Sequence, residues 1–337
     1  MAVNKFGSQV DGRFSPEIGQ YYYMVDSNFR TAAQGWSRAD GTGPLDLWQA
    51  REVGGDTRVF YTPETGNQGA TYANQSAAIQ AGIDAQIDFR GDTLFFTPGL
   101  YTPATALNFN VPDARYVGPE VRAARAARAT ITDAIGDHSF AAAADRCEIA
   151  YLRFVPLTAQ NFFVTVSGSD FGHMHHCFFD ATGVAASVET KLFVSVATTT
   201  GWQFEDCEFE VDAAQGEILN PVGANQWIVR RCNFIVEGAT ITWVTCVLFE
   251  TTAAKGMSIE HCHFGSGGGA NGLITNPITG MAGGSILRMM YCTMDGTSTP
   301  TAGNIETGFD ATVGIELVEC YITGDATTQG GLLIVLT

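Results

Sequence analysis

Basic residues are scarce in this chain. Lys and Arg total 18 against 35 acidic residues, for a formal net charge of −17. The deficit is uneven: residues 141–337 carry 20 acidic and 7 basic side chains, while the first 140 carry 15 and 11. An acidic body of this kind repels a phosphate backbone, so nucleic acid is not an expected partner. Also missing is any run of about 18 apolar residues, the length a membrane-crossing helix needs, so no membrane partner is expected. The opening MAVNKFGSQVDGRFSPEIG has no apolar core of the kind a secretion signal carries. That points to synthesis in a reducing cytosol, where disulfides are rare. The 8 cysteines therefore need another explanation.

Repetition supplies one. The segments DFGHMHHCFFDA (170–181), GWQFEDCEFEVD (201–212), QWIVRRCNFIVE (226–237), GMSIEHCHFGSG (256–267), ILRMMYCTMDGT (286–297) and GIELVECYITGD (314–325) share one pattern. An apolar residue is followed by two variable residues, a cysteine, one variable residue and a second apolar residue. The leads are Met174, Phe204, Val229, Ile259, Met289 and Leu317, and the cysteines Cys177, Cys207, Cys232, Cys262, Cys292 and Cys320. An earlier copy has Ile149, Leu152 and Phe154, with leucine in the cysteine's slot and Cys147 out of register. From Leu152 the slots recur after 25, 30, 25, 30, 30 and 28 residues, a period that marks a stacked repeat architecture.

Phe, Val, Ile and Thr between glycines favour strands. A further apolar stretch precedes most copies, as in LFVSV (192–196), VLFE (247–250) and GLITN (272–276). One such turn cannot bury its own inner face, but turns stacked about 4.8 Å apart make a continuous core. The expected class is all-β, a parallel β-helix. Leucine in the repeated slot indicates a modest apolar position, where cysteine serves as a small buried hydrophobe.

Alternation along a strand puts Cys262 and Phe264 inside and His263 outside. The three-residue step from lead to cysteine requires a bend, which places Glu260 and His261 on a solvent-facing corner. His261 and His263 then cannot share a metal with Cys262. His173, His175 and His176 lie three turns away, roughly 14 Å at one strand spacing per turn. No metal and no cofactor are expected.

The two corner columns read His175, Glu205, Arg230, Glu260, Met290, Val318 and His176, Asp206, Arg231, His261, Tyr291, Glu319. Glu205–Arg230–Glu260 and Asp206–Arg231 alternate in sign, which suits ion pairs between neighbouring strands. The same strip offers Asp206, Glu208 and Glu205 as candidate catalytic acids. Carboxylates about 5–9.5 Å apart could split a glycosidic bond, although adjacent arginines would keep them ionised. Asp145, Asp170 and Asp180 read as turn residues. Arg122, Arg125 and Arg128 form the single basic cluster.

Ahead of the repeats, QSAAIQAGIDAQIDFRGDTLFFTPGLYT (75–102) combines a short helix with Ile79 and Ile83 four apart, Asn74 or Ser76 as its cap, a strand and a Pro-Gly turn. AAIQAGIDA (77–85), DTLFFTPGLYT (92–102) and, loosely, ARYVGPE (114–120) resemble the opening of pectate-lyase-like parallel β-helices, including bacteriophage tailspikes. The resemblance covers about 75–337. It implies a right-handed, single-stranded solenoid with an N-terminal capping helix, residues 73–337, preceded by an N-terminal arm, residues 1–72. The calcium-binding aspartate cluster of pectate lyases and the paired-aspartate and His-Gly motifs of polygalacturonases are absent, and no asparagine ladder is expected at the repeated corner.

The arm contains Tyr21, Tyr22, Tyr23, Trp36 and Trp48, which suit either an interface or a lid on the barrel. By resemblance, the arm would hold the chain on a virion, and homotrimers are common among such spikes. The apolar end LLIVLT would need covering. Two readings of function follow. One is a non-enzymatic virion structural protein of a bacteriophage, a decoration, cement or fibre-like β-helix bound to other virion proteins. The other is a tailspike-type depolymerase, hydrolase or lyase, acting on host surface polysaccharide.

Overall fold

Short alternating runs of β-branched and aromatic residues, broken by glycines every few residues, are too short for helices and too apolar to stay in water. The computed structural model describes the chain apart from 1–10, 16–19, 25–46, 54–55, 62–67, 72–74, 87, 90, 97–98, 121–127, 133–135, 142–143, 157–160, 166–167, 182–189, 196–197, 212–214, 222, 237–242, 249–254, 267–275, 282–285, 296–304, 308–313, 324–333 and 336–337. It is a parallel β-helix with three sheet faces rather than the two strands per repeat expected as a minimum. The first face runs from Thr93–Phe96 to Gly314–Val318, the second from Gly99–Tyr101 to Tyr321–Thr323, and the third from Asn108–Phe109 to Ile334–Val335. Among the described residues the second and third faces have nine strands each, which makes nine layers.

The pairing follows the register of the repeat. Ile149, Met174, Phe204, Val229, Ile259, Met289 and Leu317 are successive partners on the first face. Phe154, Phe179, Phe209, Phe234 and Phe264 are successive partners on the second. From Phe179 onward their rings stack nearly parallel, at 4.9, 4.8 and 4.7 Å between centroids with interplanar angles of 11°, 8° and 4°. These separations equal the spacing of hydrogen-bonded strands, so backbone pairing and ring stacking reinforce one another. Cys147, outside the cysteine slot, is fully buried one residue before the first-face strand. Gly172 and Trp202 hold the equivalent position in the next two layers, and a Cβ at Gly172 would fall 2.5 Å from the Trp202 ring. Glycine makes room there for the indole of the layer above.

The cysteine column does more than fill space. Each thiol donates to the carbonyl two residues earlier, at 3.4 Å for Cys177 and Cys207 and 3.3 Å for Cys232, Cys262 and Cys292. It also lies 3.4–3.7 Å from the lead carbonyl of the preceding layer. A bend leaves carbonyls turned inward, and a small side chain with a weak donor answers them where leucine cannot.

At the bend itself Tyr151, His176, Asp206, Arg231, His261, Tyr291 and Glu319 all have positive φ, from 48° to 59°. From Tyr151 to Tyr291 their N–H groups donate to the next layer, as His176 does to the Glu205 carbonyl at 3.0 Å and Arg231 to that of Glu260 at 2.9 Å. A second left-handed column, including Asp113, Arg146, Phe171 and Gln226, marks the corner before the first face. Asp145 and Asp170 act as turn residues there: their carboxylates accept from the Asp170 and Thr200 N–H groups at 3.0 and 2.6 Å. Asp180 does not. It lies in the second-face strand Phe178–Ala181 and is 7% exposed.

The helix spans Gln75–Asp84 and buries Ala78, Ile79 and Ile83 completely. Its glutamines close the first layer. The Gln80 amide accepts from the Asn108 N–H at 2.8 Å and donates to the Asn108 carbonyl at 2.9 Å, replacing a missing strand. Ser76 is no cap but a bridge, its hydroxyl accepting from the Thr105 N–H at 2.9 Å. Asn74, the other cap candidate, lies outside the described residues. The strand Leu47–Val53 pairs in parallel with Thr93–Phe96, and Asp56–Tyr61 and Gln68–Thr71 continue that sheet antiparallel. The Trp48 backbone is thus tied to Leu94 and Tyr61. Tyr21, Tyr22 and Tyr23 lie in a hairpin of Asp11–Ser15 with Gln20–Met24, and Trp36 lies outside the described residues.

Phe234 sits between two stacked rings with no exposure. Replacing it with alanine is expected to cost about 3–5 kcal/mol, as large cavities in a close-packed core do. Urea denaturation followed by far-ultraviolet circular dichroism measures the loss.

Candidate functional site

Among the described residues, the corner between the first and second faces carries a run of ion pairs between layers. In the repeated layers, Glu205, Arg230 and Glu260 end their first-face strands on the outer side, and the left-handed residue follows each at the ridge. The expected pairs form. Arg231 grips Asp206 through two contacts of 2.7 and 2.8 Å and also bonds Glu205. Arg230 reaches Glu260 at 3.0 Å and Glu205 at 3.7 Å. The hydrogen bonds from Arg231 hold Asp206 below the usual carboxylate range. Partial burial works against ionisation of Glu260, but the Ser258 hydroxyl and Arg230 outweigh it and lower that group too.

The three sequence candidates therefore separate. Glu205 ends a first-face strand and Asp206 forms the corner, and both bond Arg231. Glu208 lies past the bend on the second face, in register with Phe178 and Asn233. The pairing with Arg231 favours the ionised form of Asp206, which works against a role for it as proton donor.

The histidines form a second cluster in the layers below. His175, expected on a solvent-facing corner, is 8% exposed. The Tyr151 ring lies against it, and His173 and His176 flank it. Its Nε2 donates to Glu148 Oε1 at 3.1 Å, and its Nδ1 lies 2.9 Å from His176 Nδ1, so one of those two nitrogens donates and the other accepts. Arg115 binds the same carboxylate at 2.7 and 2.8 Å. Burial alone would raise Glu148, but the bonds from His175 and Arg115 bring it down to about 2. His173 lies 3.3 Å from Glu205, and burial together with the neighbouring His175 lowers its pKa. Arg128, described without Arg122 and Arg125, donates to the His176 carbonyl at 2.9 Å. Farther along, His261 stacks on Tyr291 at 4.8 Å and His263 bonds the Thr293 hydroxyl at 2.7 Å, on opposite sides of buried Cys262.

One pair of acids is not joined in the sequence reading, which takes Asp180 for a turn residue. Asp180 and Glu210 are partners on adjacent second-face strands and are 7% and 3% exposed. Arg153 pairs with Asp180 and lies over the Phe178 ring. Alternation about Phe179 and Phe209 could have placed both acids on the outer surface in register. Nothing in the strand pattern foretells their burial.

Glu148 and His173 both lose stability on acidification. Lowered His173 favours the neutral ring, so its contribution is lost as pH falls below its ordinary value near 6.5. Glu148 contributes above its ordinary value of 4.5, and that part is lost as pH falls toward about 2. Glu148→Gln is expected to remove on the order of 3 kcal/mol at neutral pH and to flatten the curve between about pH 4.5 and 2. His173→Gln is expected to flatten only the part near pH 6. Thermal melts across pH separate the two.

No family model matches the chain, and no curated protein matches it either. Among solved structures, it is similar to the ORF18 protein of Geobacillus virus E2, at 10% identity and a TM-score of 0.28, over 74% of this chain and 58% of that one. The chain thus spans little more than half of that protein's length. It is also similar to the A-module of a mannuronan C-5 epimerase from Azotobacter vinelandii, at 12% identity and a TM-score of 0.22, over 74% and 91% of the two chains. The catalytic unit of an α-1,3-glucanase from Streptomyces thermodiastaticus aligns at 8% identity and a TM-score of 0.25, over 93% and 84%. These neighbours are β-helical proteins, and the likeness extends to architecture alone.

Proposed function

We propose that the chain is a non-catalytic β-helical structural protein of a bacteriophage virion, a decoration, cement or spike-like shaft. The observation that carries this reading is the Arg231 fork, which binds Asp206 and Glu205 together and makes the candidate catalytic strip an interlayer clamp. Attachment falls to residues 1–72, with Tyr21, Tyr22, Tyr23, Trp36 and Trp48 supplying aromatic contacts to other virion proteins, and the assembly is a homotrimer. Aromatic side chains bring large contact area at little entropic cost, which suits an attaching segment.

A second reading keeps a polysaccharide depolymerase, favoured by Asp180 and Glu210. They are partners on adjacent second-face strands, and retaining glycosidases use two carboxyl groups about 5–5.5 Å apart. Incubation of the purified chain with host capsule or lipopolysaccharide is expected to release no new reducing or unsaturated ends. Turnover that disappears in Asp206→Asn or Glu208→Gln would reinstate the corner acids. Turnover that disappears in Asp180→Asn or Glu210→Gln would install the buried pair instead.

A further inference from the structure

The histidine cluster has no part in the reading above. Its polar contacts form one line across successive layers. Arg115 and His175 Nε2 both donate to Glu148, the two Nδ1 atoms of His175 and His176 lie 2.9 Å apart, and His176 Nε2 lies 3.9 Å from Asp206 Oδ2. The inner ring, His175, is buried, whereas His176 is exposed on the ridge. Tyr151 lies against both from the layer below. Its ring stacks on His176 at 4.9 Å between centroids and stands edge-on to His175 at 5.6 Å. That packing leaves Tyr151 only 8% exposed.

This line limits how many protons the two rings can hold. One proton sits on His175 Nε2 and points at Glu148, and one lies between the two Nδ1 atoms. A third fits on His176 Nε2, which faces Asp206. A further proton, filling the last ring nitrogen, sets two N–H groups against each other where one nitrogen must accept. We infer that the His175–His176 pair is an acid-operated latch: with both rings charged their hydrogen bond breaks, and the His176 ring swings off Tyr151 toward solvent and Asp206.

The surroundings favour that outcome. Glu148 and Asp206 are both held below the usual carboxylate range, so mild acid leaves them ionised. His173 faces His175 at 4.6 Å between ring centroids and Glu205 at 3.3 Å, and burial together with His175 lowers its pKa. Arg115 binds Glu148, Arg231 binds Glu205 and Asp206, Arg230 reaches Glu205 at 3.7 Å, and Arg128 donates to the His176 carbonyl at 2.9 Å. Guanidiniums therefore already match the carboxylates of Glu148, Glu205 and Asp206, and a second imidazolium meets no unpaired one. His175 is buried and held on Glu148, so the exposed ring is the one that moves.

Hydroxyl-radical footprinting of the full chain, read residue by residue by mass spectrometry, tests the latch. The measure is oxidation of Tyr151 relative to Tyr321, which is 65% exposed. As pH falls the ratio is expected to rise about tenfold per pH unit, the slope for an opening that takes up one proton, then to level off and to reverse when pH is restored. His176→Phe keeps a ring to stack on Tyr151 but takes no proton, and its ratio is expected to stay at the neutral value. Aromatic residues already hold this left-handed column at Tyr151 and Tyr291. A flat ratio in the unaltered chain overturns the inference, as does an equal slope in His176→Phe. If that variant fails to fold, nitrogen-15 spectra of the histidine rings in the unaltered chain decide: both rings become imidazolium through the transition, and a ring nitrogen of the pair still bare below it overturns the latch.

Discussion

Everything in this fold depends on one layer lying in register on the next. A strand pair fixes the spacing of two layers through its backbone hydrogen bonds. The phenylalanine column accepts that spacing as a stacking distance, and the thiol column fills the bend beside it. Aromatic pairs contribute about 0.5–1.5 kcal/mol each beyond the area they bury, so a run of them favours one register over every slipped alternative. A shift by one residue would turn Phe209 and Phe234 outward and bring Glu208 and Asn233 into the core.

That cooperation offsets a cost at the corners. Tyr151, Arg231, Tyr291 and Glu319 adopt a left-handed backbone that side chains with a Cβ disfavour by about 1–2 kcal/mol per residue. The strain persists because Tyr151, Arg231 and Tyr291 donate their N–H groups to the layer above while the next residue packs inward. The outward side chains are then free to pair, which is how Arg231 comes to hold both Glu205 and Asp206. The clamp at the corner and the stack in the core are two consequences of the same bend.

Much of this was legible in the residues. The spacing of Met174, Cys177 and Phe179 and of its later copies gave the register of the first two faces, and alternating signs gave the Glu205–Arg230–Glu260 pairs. The third face was less legible, because loops of unequal length separate it from the repeated segment. Asn276 of GLITN (272–276) opens the strand Asn276–Met281, and the rest of that stretch lies outside the described residues. The left-handed corner was invisible because neither glycine nor asparagine marks it. His175 and the Asp180–Glu210 pair were misjudged for a common reason: alternation tells which side a residue faces, but not whether that side is covered. The Gln80 cap was missed because a glutamine on a short helix carries no sign that its amide will stand in for a strand.

The interior position of the sulfurs is the claim on which register, corner and clamp all rest. Pulsed alkylation of the native protein with iodoacetamide, read cysteine by cysteine by mass spectrometry, tests it most directly. The account predicts that Cys177, Cys207, Cys232, Cys262 and Cys292 stay unlabelled in the folded chain and become reactive together at the unfolding transition. Rapid labelling of Cys232 or Cys262 in the folded protein would contradict it.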